Sequence, residues 1–139
     1  MKSATLLNSS ISAAIASMGH TDSIVVADAG LPIPASTFRI DLALKAGIPT
    51  YIDTLETILT ELCVEEAVMA EEAKLKNPSV VSRTKAAFDS YAAKTGRVIA
   101  LRFVSHDELK RMSASAKAAV RTGECSPYAN IILKSGVVF

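Results

Sequence analysis

Helical and strand-like segments alternate from one end of this chain to the other. That alternation predicts an α/β layered fold with a mostly parallel central sheet and helices on both faces. Three observations carry it. Ile11, Ala14, Ile15 and Met18 mark one face of a helix; Ser23–Ala27 is a β-branched run that stops at a glycine–proline loop; and an apolar run from Ile131 to Phe139 follows a polar turn. The first has the 3.6-residue period of a helix, and the other two read as buried strands bounded by turn signals.

In order, Asn8, Ser9 and Ser10 offer N-caps to the first helix, and Gly19 sits where a C′ glycine belongs. Pro32 and Pro34 cannot continue a ladder, so Ala29 to Pro34 is a loop. Phe38 to Leu44 is ambiguous, and Ile48-Pro49 breaks the chain. Thr54 to Thr60 reads as a short helix, and Leu62 to Ala70 as a strand whose glutamates leave helix open. Asn77-Pro78 starts a helix, with Asn as cap and Pro at the first position. Its stripe of Val80, Thr84, Ala87, Phe88 and Tyr91 ends before Gly96. Arg97 to Val104 reads as a strand. Ser105 and Glu108 form a capping box for a helix continued by Leu109, Met112 and Ala116.

The 139 residues are expected to form one domain, 1–139, with no repeat or linker to divide it. Half are hydrophobic, so a core is available, and the positive mean hydropathy of so short a chain suggests burial against copies of itself. Lys and Arg total 15 against 14 for Asp and Glu, which leaves no electrostatic footprint for nucleic acid or an anionic membrane. No apolar run approaches the roughly 20 residues of a membrane helix, and the first residues do not resemble a secretory signal. The two cysteines, Cys63 and Cys125, lie far apart and without ligand spacing, as in a reduced cytoplasmic chain. Cys125 is expected to be a small buried residue. Glu65, Glu66, Glu71 and Glu72 are expected on a solvated face.

Candidate chemistry rests on few residues. Tyr128 and Asn130 stand at the mouth of the terminal strand, and both donate and accept hydrogen bonds without charge. That suits a neutral, hydroxyl-rich ligand. Asp28 ends a strand and opens a loop, where ligands bind in open α/β sheets. A carboxylate there can clamp vicinal hydroxyls, or simply bond its own backbone as a loop-initiating Asp. Of the two histidines, His20 follows a helix carboxy end, whose partial negative charge favours imidazolium by about 0.3–1 kcal/mol when exposed. It is suited to donate a proton. His106 falls at the first position of a helix and is expected to remain neutral; each histidine is equally readable as a cap or surface residue. No dinucleotide fingerprint, phosphate loop, nucleophile elbow or zinc spacing occurs, so neither cofactor nor metal is expected.

The blocks Leu7-Asn-Ser-Ser-Ile, Met18-Gly-His20-Thr-Asp-Ser, Ala27-Asp28-Ala-Gly-Leu-Pro-Ile-Pro34 and Gly123-Glu-Cys-Ser-Pro-Tyr128-Ala-Asn130-Ile-Ile-Leu together resemble the D-ribose pyranase family, which also contains the fucose mutarotases. The loop after Asp28 resembles the ribose branch. The resemblance spans the chain and implies interconversion of ribose pyranose and furanose forms without cofactor. It implies that His20 is the proton donor and that Asp28, His106, Tyr128, Ala129 and Asn130 line the sugar site. It also implies a ring-shaped homo-oligomer, commonly a decamer of stacked pentamers with sites near subunit contacts, in the cytoplasm beside ribose uptake and ribokinase. The residues themselves leave other readings: a non-catalytic ribose-binding module, a mutarotase for another sugar such as fucose, or, less well supported, a small hydrolase or nucleotide binder. Only a mutarotase needs a protonated His20.

Overall fold

The sheet has six strands in the order β2-β5-β1-β6-β3-β4. The structure, a computed structural model, describes residues 1–139. The elements run α1 (Ser9–Ala16), β1 (Ser23–Ala27), β2 (Arg39–Asp41), α2 (Tyr51–Leu59), β3 (Val64–Ala70), α3 (Glu72–Lys76), α4 (Pro78–Thr95), β4 (Ala100–Val104), α5 (His106–Ser113), β5 (Ala118–Arg121) and β6 (Ile131–Ser135). β5 pairs parallel with β1 and β2, and β3 with β4. β6 runs antiparallel between β1 and β3. All strands but β6 therefore point the same way, and the predicted α/β fold with a mostly parallel sheet is the fold observed.

Two cores cover the sheet. Ile24, Val26, Ala67, Met69, Ile131 and Leu133 face α1, α2 and α4 through Ile11, Leu55, Ile58, Phe88 and Tyr91. Val25, Ala27, Val68 and Ile132 face Leu109 of α5 and Leu31 of the proline loop. The alternation along β1 explains this split, since successive side chains of a strand point to opposite faces. Tyr51 is buried in the larger core with its hydroxyl 3.0 Å from Thr84 Oγ1, and burial pushes the phenol well above its ordinary value.

The caps are largely those expected. Asn8, Asn77 and Ser105 accept from Ile11, Val80 and Glu108 N–H respectively, and Gly96 closes α4 in the left-handed region. Gly19 does not play that part. α1 already ends at Ala16, its C-cap Ser17 is in right-handed conformation, and the left-handed residue is Thr21, with φ of 68°. β4 is shorter than the apolar pattern suggests because Arg97 turns its guanidinium to the Val137 carbonyl and the Cys63 sulfur. α5 stops at Ser113, so Ala116 is buried beyond the helix rather than on it. β6 ends at Ser135, leaving Val138 and Phe139 exposed rather than in a strand. Two elements carried no sequence signal, the five-residue α3 and the alanine-rich β5.

Candidate active site

Parallel strands bring their carboxyl ends to one rim of the sheet, and β6, being antiparallel, starts at that rim. Asp28 follows β1, Glu72 and His106 follow β3 and β4, and Asn130 immediately precedes β6. These segments enclose an open cleft of about 570 Å³ lined by Asp28, His106, Glu124, Ser126, Tyr128 and Asn130 among others.

Asp28 and Asn130 are locked to each other. The Asp28 N–H donates to Asn130 Oδ1 at 2.9 Å, and Asn130 Nδ2 donates to Asp28 Oδ2 at 2.7 Å. Asp28 Oδ1 also accepts from the Gly30 N–H at 3.0 Å. The carboxylate therefore initiates its loop and still holds lone pairs for ligand hydroxyls. Asn130 is buried, whereas the Asp28 carboxylate is half-exposed towards the cleft.

Tyr128 has φ of 59°, a left-handed conformation that a bulky residue rarely adopts. Such strain persists only where the surroundings impose it, and it gathers at functional sites. Here the surroundings are explicit. Asn77, while capping α4, donates from Nδ2 to Ser126 Oγ at 3.0 Å and to the Pro127 carbonyl at 2.9 Å. Glu124 accepts from the Ser126 N–H at 3.0 Å. Partial burial alone would raise the Glu124 carboxyl, but backbone bonds from Ser126, Tyr51 and Cys125 and the Ser126 hydroxyl hold it below its ordinary value. Beneath the turn, the Gly123 N–H donates to the Pro49 carbonyl, and the Gly47 N–H donates to Gly123. A Cβ at position 123 would collide with the carbonyl oxygens of Ile48 and Lys45.

The Tyr128 ring meets His106 edge-on, with centroids 5.2 Å apart and planes at 87°. His106 opens α5, and its N–H donates to the Glu72 carboxylate at 3.0–3.1 Å. Bonds from its own N–H and that of His106 hold Glu72 below the ordinary glutamate value. His106 Nδ1 is buried without a protein partner. Buried polar atoms are rarely left without a hydrogen-bond partner. Ala129 turns its side chain into the main core, so it can meet a ligand only through its backbone.

The structure thus gathers Asp28, His106, Tyr128, Ala129 and Asn130, and does not gather His20. His20 precedes β1 while Asp28 follows it, so the two stand at opposite ends of a strand about 16 Å long. The expected negative partner of His20, the end of α1, gives way to a carboxylate. The carbonyls of Ala13, Ala14 and Ile15 already accept from Ser17 and Met18, and His20 Nε2 lies 3.0 Å from Glu65 Oε2. Cys125 is exposed at the cleft, not buried, because the turn that lifts Tyr128 carries it outward. Sequence reasoning missed Glu65 and Glu72, which engage the two histidines, and Asn77 and Glu124, which brace the turn. Asn77 carried a signal as a cap, but nothing local marked its second role. No group of three His, Cys, Asp or Glu side chains is placed to hold a metal ion, and no helix is long and apolar enough to cross a membrane.

A cleft of neutral hydrogen-bonding groups, two carboxylates and one imidazole, at the strand ends of an α/β sheet, has the chemistry to hold a small polyhydroxylated molecule. The model of the RbsD / FucU transport protein family matches residues 1–138, and this chain belongs to that family. It is 49% identical to the D-ribose pyranase of Actinobacillus succinogenes over the full length of both. Among solved structures, Bacillus subtilis RbsD complexed with D-ribose aligns over the whole of both chains with a TM-score of 0.89 and 41% identity. The Streptococcus pneumoniae fucose mutarotase in complex with L-fucose shares the fold, with a TM-score of 0.83 at 24% identity.

Proposed function

We infer that the chain is a D-ribose pyranase, an intramolecular isomerase that interconverts β-D-ribopyranose and β-D-ribofuranose. The observation that carries this is the Asp28–Asn130 pair set beside Tyr128 and His106, in a chain about half identical throughout to a D-ribose pyranase.

Ring exchange opens one hemiacetal and closes another. The anomeric hydroxyl gives up its proton, the C1–O5 bond breaks, and O5 takes a proton. O4 of the open aldehyde then attacks C1, losing its proton as the carbonyl oxygen regains one. Protons balance, and no redox change or external leaving group is involved. Asp28 and Asn130 hold vicinal hydroxyls, Tyr128 and His106 orient the ring, and the Ala129 backbone closes the pocket. His20 is the general acid. Positioned acid–base groups supply about 10²–10⁴-fold, a useful gain for a reaction that already proceeds in water.

His20 reaches this cleft from a neighbouring copy. The separation of His20 and Asp28 along β1 supports this, because one copy cannot close the distance. The assembly is a ring-shaped homodecamer in which the His20 end of one subunit meets the Asp28 end of another. Exposed Leu7, Phe38, Leu44 and Val98 supply apolar surface for such contacts. Two free thiols suit a cytoplasmic location. The test is ribose ring exchange by NMR saturation transfer with EDTA-treated protein. Faster pyranose–furanose exchange than in buffer is expected; binding with exchange at the buffer rate would replace this reading with a ribose-binding module.

A further inference from the structure

We propose that Glu65 is a positioning residue for His20, holding the imidazole by Nε2 so that Nδ1 is the atom that gives and takes the proton. The proposal rests on the reading of His20 as the proton donor.

An ionised carboxylate only accepts hydrogen bonds. With Nε2 and Oε2 3.0 Å apart, Nε2 must carry a hydrogen whether the ring is charged or neutral. The second proton of the imidazolium then sits on Nδ1. When Nδ1 gives it to the sugar ring oxygen, the histidine becomes the Nε2–H tautomer that Glu65 already selects. The proton lost by the hydroxyl that closes the new ring returns to Nδ1. The cycle needs neither a ring flip nor a tautomer exchange.

The backbone is built around this pair on both sides. β3 shifts register against β6 at Glu65: Val64 pairs with Ser135 and Glu66 with Lys134, so Glu65 has no opposite residue. A bulge of this kind re-aims a side chain. On the other side, Thr21 takes a left-handed conformation that β-branched residues avoid, next to His20. The Thr21 N–H donates to the Ser135 carbonyl at 2.9 Å, and the Ser135 N–H to Asp22 at 2.8 Å. The same residue of β6 thus anchors the His20 turn and faces the bulge. A Cβ at Gly136 would lie 3.3 Å from Glu65 Cβ and 3.5 Å from its Oε2, crowding the carboxylate. The nearby cations do not compete, because Arg102 and Lys134 both bind Glu66.

Stability does not account for this construction. His20 and Glu65 side chains are 53% and 43% exposed, and exposed pairs add little to folding. A bulge and a strained residue maintained around a pair of such small stabilising value point to orientation as its purpose.

Glu65→Ala is expected to lower the maximal exchange rate about tenfold, a fraction of what general acid catalysis supplies, with KM for ribose within roughly twofold because Glu65 does not touch the cleft. Glu65→Gln, which keeps an accepting oxygen, should recover most of the rate. In a His20→Ala background, Glu65→Ala should cost nothing further, as for two residues acting as one unit. Ring 15N spectra of the full-length protein should show neutral His20 as the Nε2–H tautomer, with a mixture in Glu65→Ala. An Nδ1–H tautomer in the parent, full activity in Glu65→Ala, or an equal loss in the two backgrounds overturns the proposal. Full activity of His20→Ala instead overturns the proton-donor reading itself, and the Glu65 role with it.

Discussion

Replacing Asn130 by alanine tests how far the cleft is held together by a single side chain. The substitution removes the acceptor of the Asp28 N–H and the donor to its carboxylate, at 2.9 and 2.7 Å. A neutral hydrogen bond contributes about 0.5–1.5 kcal/mol and one to a charged group about 1.5–3 kcal/mol. Asp28 is only partly buried, so water restores part of both, and the net loss should be about 2–3 kcal/mol. Against a typical stability of 5–15 kcal/mol the protein still folds, and at about 3–4 °C per kcal/mol for this size the midpoint should fall by roughly 6–12 °C. Ribose affinity should fall as well, because the freed carboxylate no longer presents one fixed edge. Melting followed by circular dichroism and ribose titration by NMR measure the two effects. Asn130→Asp should be worse at neutral pH, since it sets two carboxylates against each other. A midpoint within about 2 °C of the parent together with unchanged ribose binding would refute the reciprocal lock.

Asn77→Ala should cost about 2 kcal/mol, since a lost N-cap alone costs about 0.5–2 kcal/mol, and it should weaken ribose binding although Asn77 does not line the cleft; melting and titration together show both. Gly123→Ala should destabilise by about 1–3 kcal/mol through its collision with the Ile48 and Lys45 carbonyls, and a parent-like melt would contradict the packing under the turn. Glu72 is held below its ordinary value of 4.5, so its contribution is complete above that value and is lost as pH falls through the depressed one. The melting difference between the parent and Glu72→Gln should therefore be constant at neutral pH and shrink on acidification; a difference that grows towards low pH would reverse the assignment.

The parts that the sequence declared are those whose signal is local. The stripe of α4 between Asn77 and Gly96, the capping box at Ser105 and the β-branched run of β1 each needed only neighbours along the chain. Leu62 to Ala70 holds a strand as read, and its glutamates left helix open because the bulge at Glu65 breaks the alternation that identifies a strand, putting consecutive glutamates where apolar and polar should alternate. β5 reads Ala-Ala-Val-Arg and becomes a strand because β1 and β2 flank it, a tertiary effect without a local mark. The five residues of α3 are too few to show a period. Around the cleft, the placement of Asp28, Tyr128 and Asn130 was legible because turn chemistry and strand ends coincide there. The partners of the histidines were not, since Glu65 lies 45 residues from His20 and Glu72 lies 34 from His106.

The central claim is that this chain exchanges ribose ring forms at a cleft completed by His20 of another copy, and mixing two inactive variants tests it most directly. His20→Ala retains an intact cleft, and His106→Ala retains an intact His20. Each alone should accelerate pyranose–furanose exchange little over buffer. Unfolded and refolded together in equal amounts, they should regain about a quarter of the parent rate, because random assembly into a symmetric oligomer pairs an intact cleft with an intact His20 in that fraction of sites. A mixture no faster than its components would contradict the shared site, and parent-level exchange by His20→Ala alone would contradict the mechanism.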